Sequence, residues 1–240
     1  MRITAWRITA RLTNALIGAA AVATSGAGAA AETPDISGIW QPVRYIQELR
    51  TVDGKEPPLK PAAAQTYAAN RKKWLAHDLS YDDASRCVPP GMPRSIYLPY
   101  PFEIIQRPGG FTFLFQWNYM FRTVDMAGGK RVIDYPLRNG FSEAQWKGDT
   151  LVIDTIGRSD NTLLDASGLP NSDKLHLVEQ LQLTNSGQSL VDRIFIEDPE
   201  IFERPWETIV ELRRLPKSAE IAEDVCVDRV DAGKLAVEVP

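Results

Sequence analysis

From residue 102 onward the chain alternates apolar and polar positions with period two, interrupted at short intervals by glycine, asparagine or proline. FEIIQ and the turn PGG come first. FTFLFQWNYMFRTVDM follows, in which Phe111, Phe113, Phe115, Trp117, Tyr119 and Phe121 alternate with Thr112, Leu114, Gln116, Asn118, Met120 and Arg122. That period predicts one long strand with an aromatic face. Gly128 and Gly129 mark a turn before a short strand near Arg131 to Tyr135, and SEAQW, KGD and TLVIDTIG read as a hairpin. After a polar loop from Arg158 to Asp173, LHLVEQLQLT, SLVDRIFIED and PWETIVELRRL are three further strands. Strand follows strand without intervening helical periodicity, so the expected fold is all-β, a single antiparallel barrel-like domain or a sandwich.

The preceding segments are different. DISGIWQPVRYI places Gly38 and Trp40 at the start of a first strand. PAAAQTYAANRKKWLAHD predicts one packed helix near residues 62–77, with Pro61 in its first turn and Tyr67, Arg71, Trp74 and Leu75 on the packing side. The six prolines between Cys87 and Pro108 predict an extended segment.

At the N-terminus, Arg2, Arg7 and Arg11 precede an alanine-rich apolar stretch that ends in small residues. This predicts a signal peptide over residues 1–31, with residues 32–240 as a single β-rich domain that is periplasmic or secreted. No other apolar run is long enough to span a bilayer, so no membrane span is expected after cleavage. The net charge of −4, with no basic run, argues against nucleic acid as a partner. In an oxidising compartment the only two cysteines, Cys87 and Cys226, are expected to form a disulfide.

The candidate chemistry is sparse. With two histidines and no CxxC, a multi-histidine or zinc site has no ligand set, and neither metal nor cofactor is expected. Asp160, Asp165, Asp173 and His176 follow no calcium-loop spacing and read as a solvated acidic loop. No G-x-S-x-G, G-x-G-x-x-G or P-loop is present. The loop Asn185–Ser186–Gly187 reads as a three-residue turn with glycine in the left-handed position, which places Glu179 opposite Arg193 on an apolar face. A two-residue turn places Glu179 opposite Ile194 instead, without a cross-strand partner. The Glu179–Arg193 pair then reads either as a strut or as a support for Arg193 against a ligand carboxylate or phenolate. Asp154 shares a strand face with Val152 and Ile156, either half-solvated or accepting hydrogen bonds from backbone or arginine.

Three functions fit these residues. One is a periplasmic protein that holds a small aromatic or otherwise apolar molecule, anionic where Arg193 meets it, with Phe113, Phe115, Trp117, Tyr119 and Arg122 as further contacts. Another is a cofactor-independent lyase, isomerase or hydrolase acting on such a substrate, with His176, Glu179 or Asp154 moving a proton. A third is an envelope structural or interaction protein with a filled core. The sequence does not set the oligomeric state.

WKGDTLVIDT, with PFEIIQRPG, GLPNSDKLHLVE and EDPEIFERPW, resembles a large family of secreted bacterial proteins of unassigned function that share a W-x-G-D-T-L-V-x-D-T core. The likeness runs roughly from Cys87 to Leu215. In that family the positions of Phe141 and Asn171 are often histidine, while those of His176 and Glu179 match. The resemblance therefore carries over no three-histidine site to this chain. The Gly38-x-Trp40 opening also looks like the start of lipocalin- or calycin-type barrels, a likeness of one tripeptide.

Overall fold

A computed structural model describes residues 33–126, 128 and 135–237. From Thr33 onward these form one compact unit. The predicted signal peptide and all but Tyr135 of the predicted strand near Arg131 lie outside the described residues.

Nine strands close in sequence order into a barrel: β1 (Gly38–Pro42), β2 (Phe102–Arg107), β3 (Gly110–Phe115), β4 (Phe121–Asp125), β5 (Phe141–Lys147), β6 (Thr150–Ile156), β7 (His176–Thr184), β8 (Ser189–Glu197) and β9 (Trp206–Arg214). The all-β barrel expectation holds and the sandwich does not. Alternation is the cause: Phe113, Ile153, Leu177, Ile194 and Val210 are buried inside, while polar neighbours on the same strands face out. All neighbouring pairs are antiparallel except β4 and β5, which run parallel and meet only at Val124↔Ser142 and Asp125↔Glu143.

Two sequence expectations fail on register. The aromatic run from Phe111 is two strands, because β3 stops at Phe115 and the chain turns through Trp117–Tyr119, with Asn118 (φ 53°) and Tyr119 (φ 50°) in the left-handed region. Asparagine tolerates that region better than most residues. β4 then pairs back with Phe113↔Arg122, so Arg122 points inward and Phe121 is left 63 % exposed. In the β7–β8 hairpin Thr184 pairs with Ser189, one step from the expected register, because Asn185, Ser186 and Gly187 all take positive φ. A one-residue slip exchanges the two faces of a strand. Glu179 therefore lies opposite Ile194, and Arg193 opposite Gln180 on the outer surface.

The end of the barrel that carries the β2–β3, β5–β6 and β7–β8 turns is crossed by the segment around Ile36, whose carbonyl accepts from Trp40 Nε1 at 3.0 Å. There the Arg214 guanidinium stacks 4.2 Å from the Trp40 ring. Gly38, at φ 129°, leaves it room: a Cβ at that position would lie 2.7 Å from Arg214 Nη1. The other end is covered by the proline-rich segment and by the loop that follows β6, which bury Met92, Ile96, Tyr97, Leu164 and Leu169. The proline-rich segment is not extended throughout; Arg94–Tyr97 forms a buried 3-10 turn.

Helix α1 (Pro61–Leu75) forms as expected, but it buries only Ala63 and Tyr67 and leaves Leu75 69 % exposed. The Tyr67 hydroxyl anchors it, 2.8 Å from Ser167 Oγ and donating to Asp165 at 3.3 Å. Cys87 is bonded to Cys226, the first residue of helix α2 (Cys226–Asp231), with 5.5 Å between their Cα atoms. Among the described residues no helix is long and apolar enough to cross a membrane.

Candidate functional site

Six consecutive strands each bury a polar side chain: Arg122 on β4, Ser142 on β5, Thr155 on β6, Glu179 on β7, Asp192 on β8 and Thr208 on β9. Most are joined through Arg122. Its Nε donates to Ser142 Oγ at 3.0 Å, Nη1 to Glu179 Oε1 at 2.9 Å, and Nη2 to Thr155 Oγ1 at 2.9 Å and to the second Glu179 oxygen. The Ser142 and Thr155 hydroxyls lie 3.0 Å apart, and the guanidinium sits 5.4 Å from the Phe113 ring. This is a buried bidentate ion pair in which four of the five guanidinium N–H donors have named acceptors.

Asp192 lies outside this network. It shares the inward face with Glu179, yet neither of its carboxyl oxygens has a hydrogen-bond partner among the described residues. Burial pushes its pKa well above the carboxylate range, the Glu179 charge adds to the push, and Arg122 opposes it. Burial thus favours the neutral acid form of Asp192, and its unmade hydrogen bonds cost about 1–3 kcal/mol.

Beyond Thr155, at the loop-covered end, lies Arg158, fully buried. Its Nε donates to Arg138 O at 3.0 Å and its Nη2 to Thr162 Oγ1 at 2.7 Å and Pro90 O at 3.4 Å, while Nη1 has no partner among the described residues. Burial lowers its pKa to about 9; Arg122 and Arg138 act in the same direction, against Tyr97 and Glu179. Two glycines enclose it. A Cβ on Gly91 (φ 75°) would lie 2.7 Å from Arg158 Nη2, and one on Gly140 (φ 70°) 2.9 Å from Arg158 Cγ and from Thr155 Cγ2.

A groove of about 430 Å³ runs beside this layer, lined by Tyr119, Met120, Phe121, Arg122, Leu137 and Gly140 among others. It follows from the short parallel pairing of β4 with β5. Below Val124 the two strands no longer pair, and Phe121 and Arg122 face the segment 137–140, tied to it where Asn139 Nδ2 donates to Phe121 O at 3.0 Å. Tyr119 and Phe121, 53 % and 63 % exposed, form its apolar rim.

The sequence-predicted residues divide among these places. Glu179 and Arg122 are brought together inside. Phe113 and Phe115 line the core, and Trp117 is buried with Nε1 donating to Ala236 O at 2.7 Å. Tyr119 lies in the groove. Arg193 is on the outer surface, its Nη1 2.7 Å from Glu207 Oε2, so the expected pairing with Glu179 is corrected. Glu179 needs no cross-strand partner, because its partner reaches it from β4 across the interior. Asp154 is exposed on the outer face of β6, and His176 Nε2 lies 3.0 Å from its Oδ2, with Glu197 Oε2 3.5 Å from Nδ1. Burial alone would lower the His176 pKa, but the hydrogen bonds and charges of Asp154 and Glu197 outweigh it and raise the value. The three proposed proton-transfer residues are thus not one site: Glu179 is inside the wall, and His176 with Asp154 is outside.

Of the acidic loop residues, Asp165 is buried, not solvated, and accepts from Leu49 N, Leu169 N and Ser167 Oγ, each at 3.0 Å. No group of three or more metal-ligating side chains occurs among the described residues. Asp192 and Arg158 were not singled out from the sequence. A signal existed for Asp192, which alternates with Leu190, Ile194 and Ile196 as an acid on an apolar face. Compared with known proteins, the chain matches no family model and no curated protein.

Proposed function

We propose that this protein binds a small, apolar or aromatic molecule in the groove between β4 and residues 137–140, in an oxidising compartment outside the cytoplasm. The observation that carries the reading is the groove: about 430 Å³, rimmed by the exposed rings of Tyr119 and Phe121 and reaching Arg122 of the buried polar layer. That volume suits a small ligand, and apolar walls with a few fixed polar groups are the usual make-up of such sites. Exposed aromatic side chains grouped around one concavity mark a place where a partner molecule removes them from water. The Cys87–Cys226 disulfide supports the compartment, and membership of the secreted family that WKGDTLVIDT resembles is part of the same reading.

The test uses a neutral bicyclic probe, 2-naphthamide, titrated against the protein by tryptophan fluorescence. Phe121→Ser removes an exposed ring without touching the core, so the variant folds, and its affinity is expected to fall about tenfold. Absence of binding by the unmodified protein, or equal binding by the variant, would refute the groove as the site. Native mass spectrometry of the protein released from the periplasm then identifies what it carries.

A further inference from the structure

We infer that the groove's ligand is an acid, an aromatic or apolar carboxylate whose charged group is received by Arg158. This rests on the groove reading and adds a chemical class to it.

The inference comes from comparing the buried arginines. Arg94 makes a bidentate pair with Asp82, at 3.0 and 2.7 Å. Arg122 makes one with Glu179, and the partly buried Arg229 pairs with Asp224. In each case a carboxylate offsets the desolvation of the guanidinium. Arg158 is as deeply buried as any of them, and its acceptors are two carbonyls and one hydroxyl, none of them charged. Among the described residues Nη1 has no acceptor. A buried cation without a counter-ion is strongly disfavoured, and the guanidinium fork matches a carboxylate better than it matches any neutral group.

The surroundings are built for this side chain. Gly91 and Gly140 both stand where a methyl group would collide with it. Gly140 also lines the groove, and a Cβ there would lie 2.9 Å from Arg158 Cγ, so the wall of the groove at this point packs directly on the Arg158 stem. An acid whose ring lies between Tyr119, Phe121 and Leu137 extends its carboxylate past Gly140 to Nη1. No step in this needs Arg122, whose donors remain on Glu179, Ser142 and Thr155. The lowered pKa of Arg158 agrees with a cation that lacks its anion.

The experiment compares 2-naphthoate with the isosteric neutral 2-naphthamide by isothermal titration, on the full mature chain and on Arg158→Gln. The unmodified protein is expected to bind the carboxylate about tenfold more tightly than the amide, the effect of one charge-assisted hydrogen bond. Arg158→Gln is expected to abolish that preference and to keep the amide affinity within about twofold. A structural role alone would change both affinities together and leave their ratio unmoved. A preference that survives in Arg158→Gln overturns the assignment. If the unmodified protein binds both probes equally, the ligand class is wrong while the groove stands, and if it binds neither, the groove reading fails as well. Should Arg158→Gln not fold, Arg158→Lys, which keeps the charge and lacks the fork, is expected to lower the ratio, and a ratio left unchanged in it overturns the assignment.

Discussion

Replacing Arg122 with methionine keeps much of the side-chain volume and removes the hub of the interior network. The Arg122 and Glu179 side chains are 1 % and 0 % exposed, so the remaining carboxylate has no water to turn to. Both of its oxygens lose their donor, the Ser142 and Thr155 hydroxyls lose theirs, and Asp192, on the same inward face, is another acid. Breaking a buried pair from one side costs about 3–5 kcal/mol. For a domain of this size that is roughly 6–20 °C in Tm. Glu179→Gln added to Arg122→Met removes the charge and is expected to regain at least half of the loss. Urea unfolding followed by far-ultraviolet circular dichroism measures all three chains. A single-variant loss below about 1 kcal/mol, or a double variant no more stable than the single, would show that the pair is not the strut described here.

Two further outcomes follow from the same structure. Because Asp192 has a folded pKa well above its unfolded value of about 3.9, the protein loses up to about 1.4 kcal/mol per pH unit between those two values. Asp192→Asn removes that slope, so its stability advantage over the unmodified chain should be larger at mildly alkaline than at mildly acidic pH, and parallel stability curves would refute the neutral-acid assignment. Cys226→Ser opens a loop closed over 139 residues, expected to cost roughly 5 kcal/mol in the chain-entropy model, and an unchanged urea midpoint under non-reducing conditions would contradict it.

How far the fold was legible in the sequence depended on the range of the signal. Period-two alternation found β2, β3, β5, β6, β7, β8 and β9, because each strand has one face inside and one in water. The same signal did not separate β3 from β4, since a strand, a short turn and a returning strand preserve alternation whenever the turn has suitable length. The expected strand from Phe111 was longer than ordinary strands are, and Asn118 sits where it breaks. The site was harder to read. Register at Asn185–Gly187 turned on whether two residues beside the glycine also adopt positive φ, which side-chain chemistry only weakly dictates. Glu179 and Arg122 were both noted, but their pairing spans β4 to β7 through the barrel interior, a contact that no local pattern encodes. Arg158 looked like part of a polar loop, and only the tertiary fold of that loop over the barrel end buries it.

The closing contact between β1 and β9 sets the order of assembly. Trp40 pairs with Arg214, so the seam joins residues near opposite ends of the described chain, and it cannot form until nearly all of the chain is available. Loop closure of that length makes the last strand pairing slow relative to the local hairpins β2–β3, β5–β6 and β7–β8. Before it forms, the sheet has two free edges, and β9, nine residues long with apolar alternate positions, is a ready template for another chain. β1 is only five residues and ends in proline, which limits how far a foreign strand can extend along that edge. Stacking of Arg214 on Trp40 across the seam thus acts as a latch whose closure removes both edges at once.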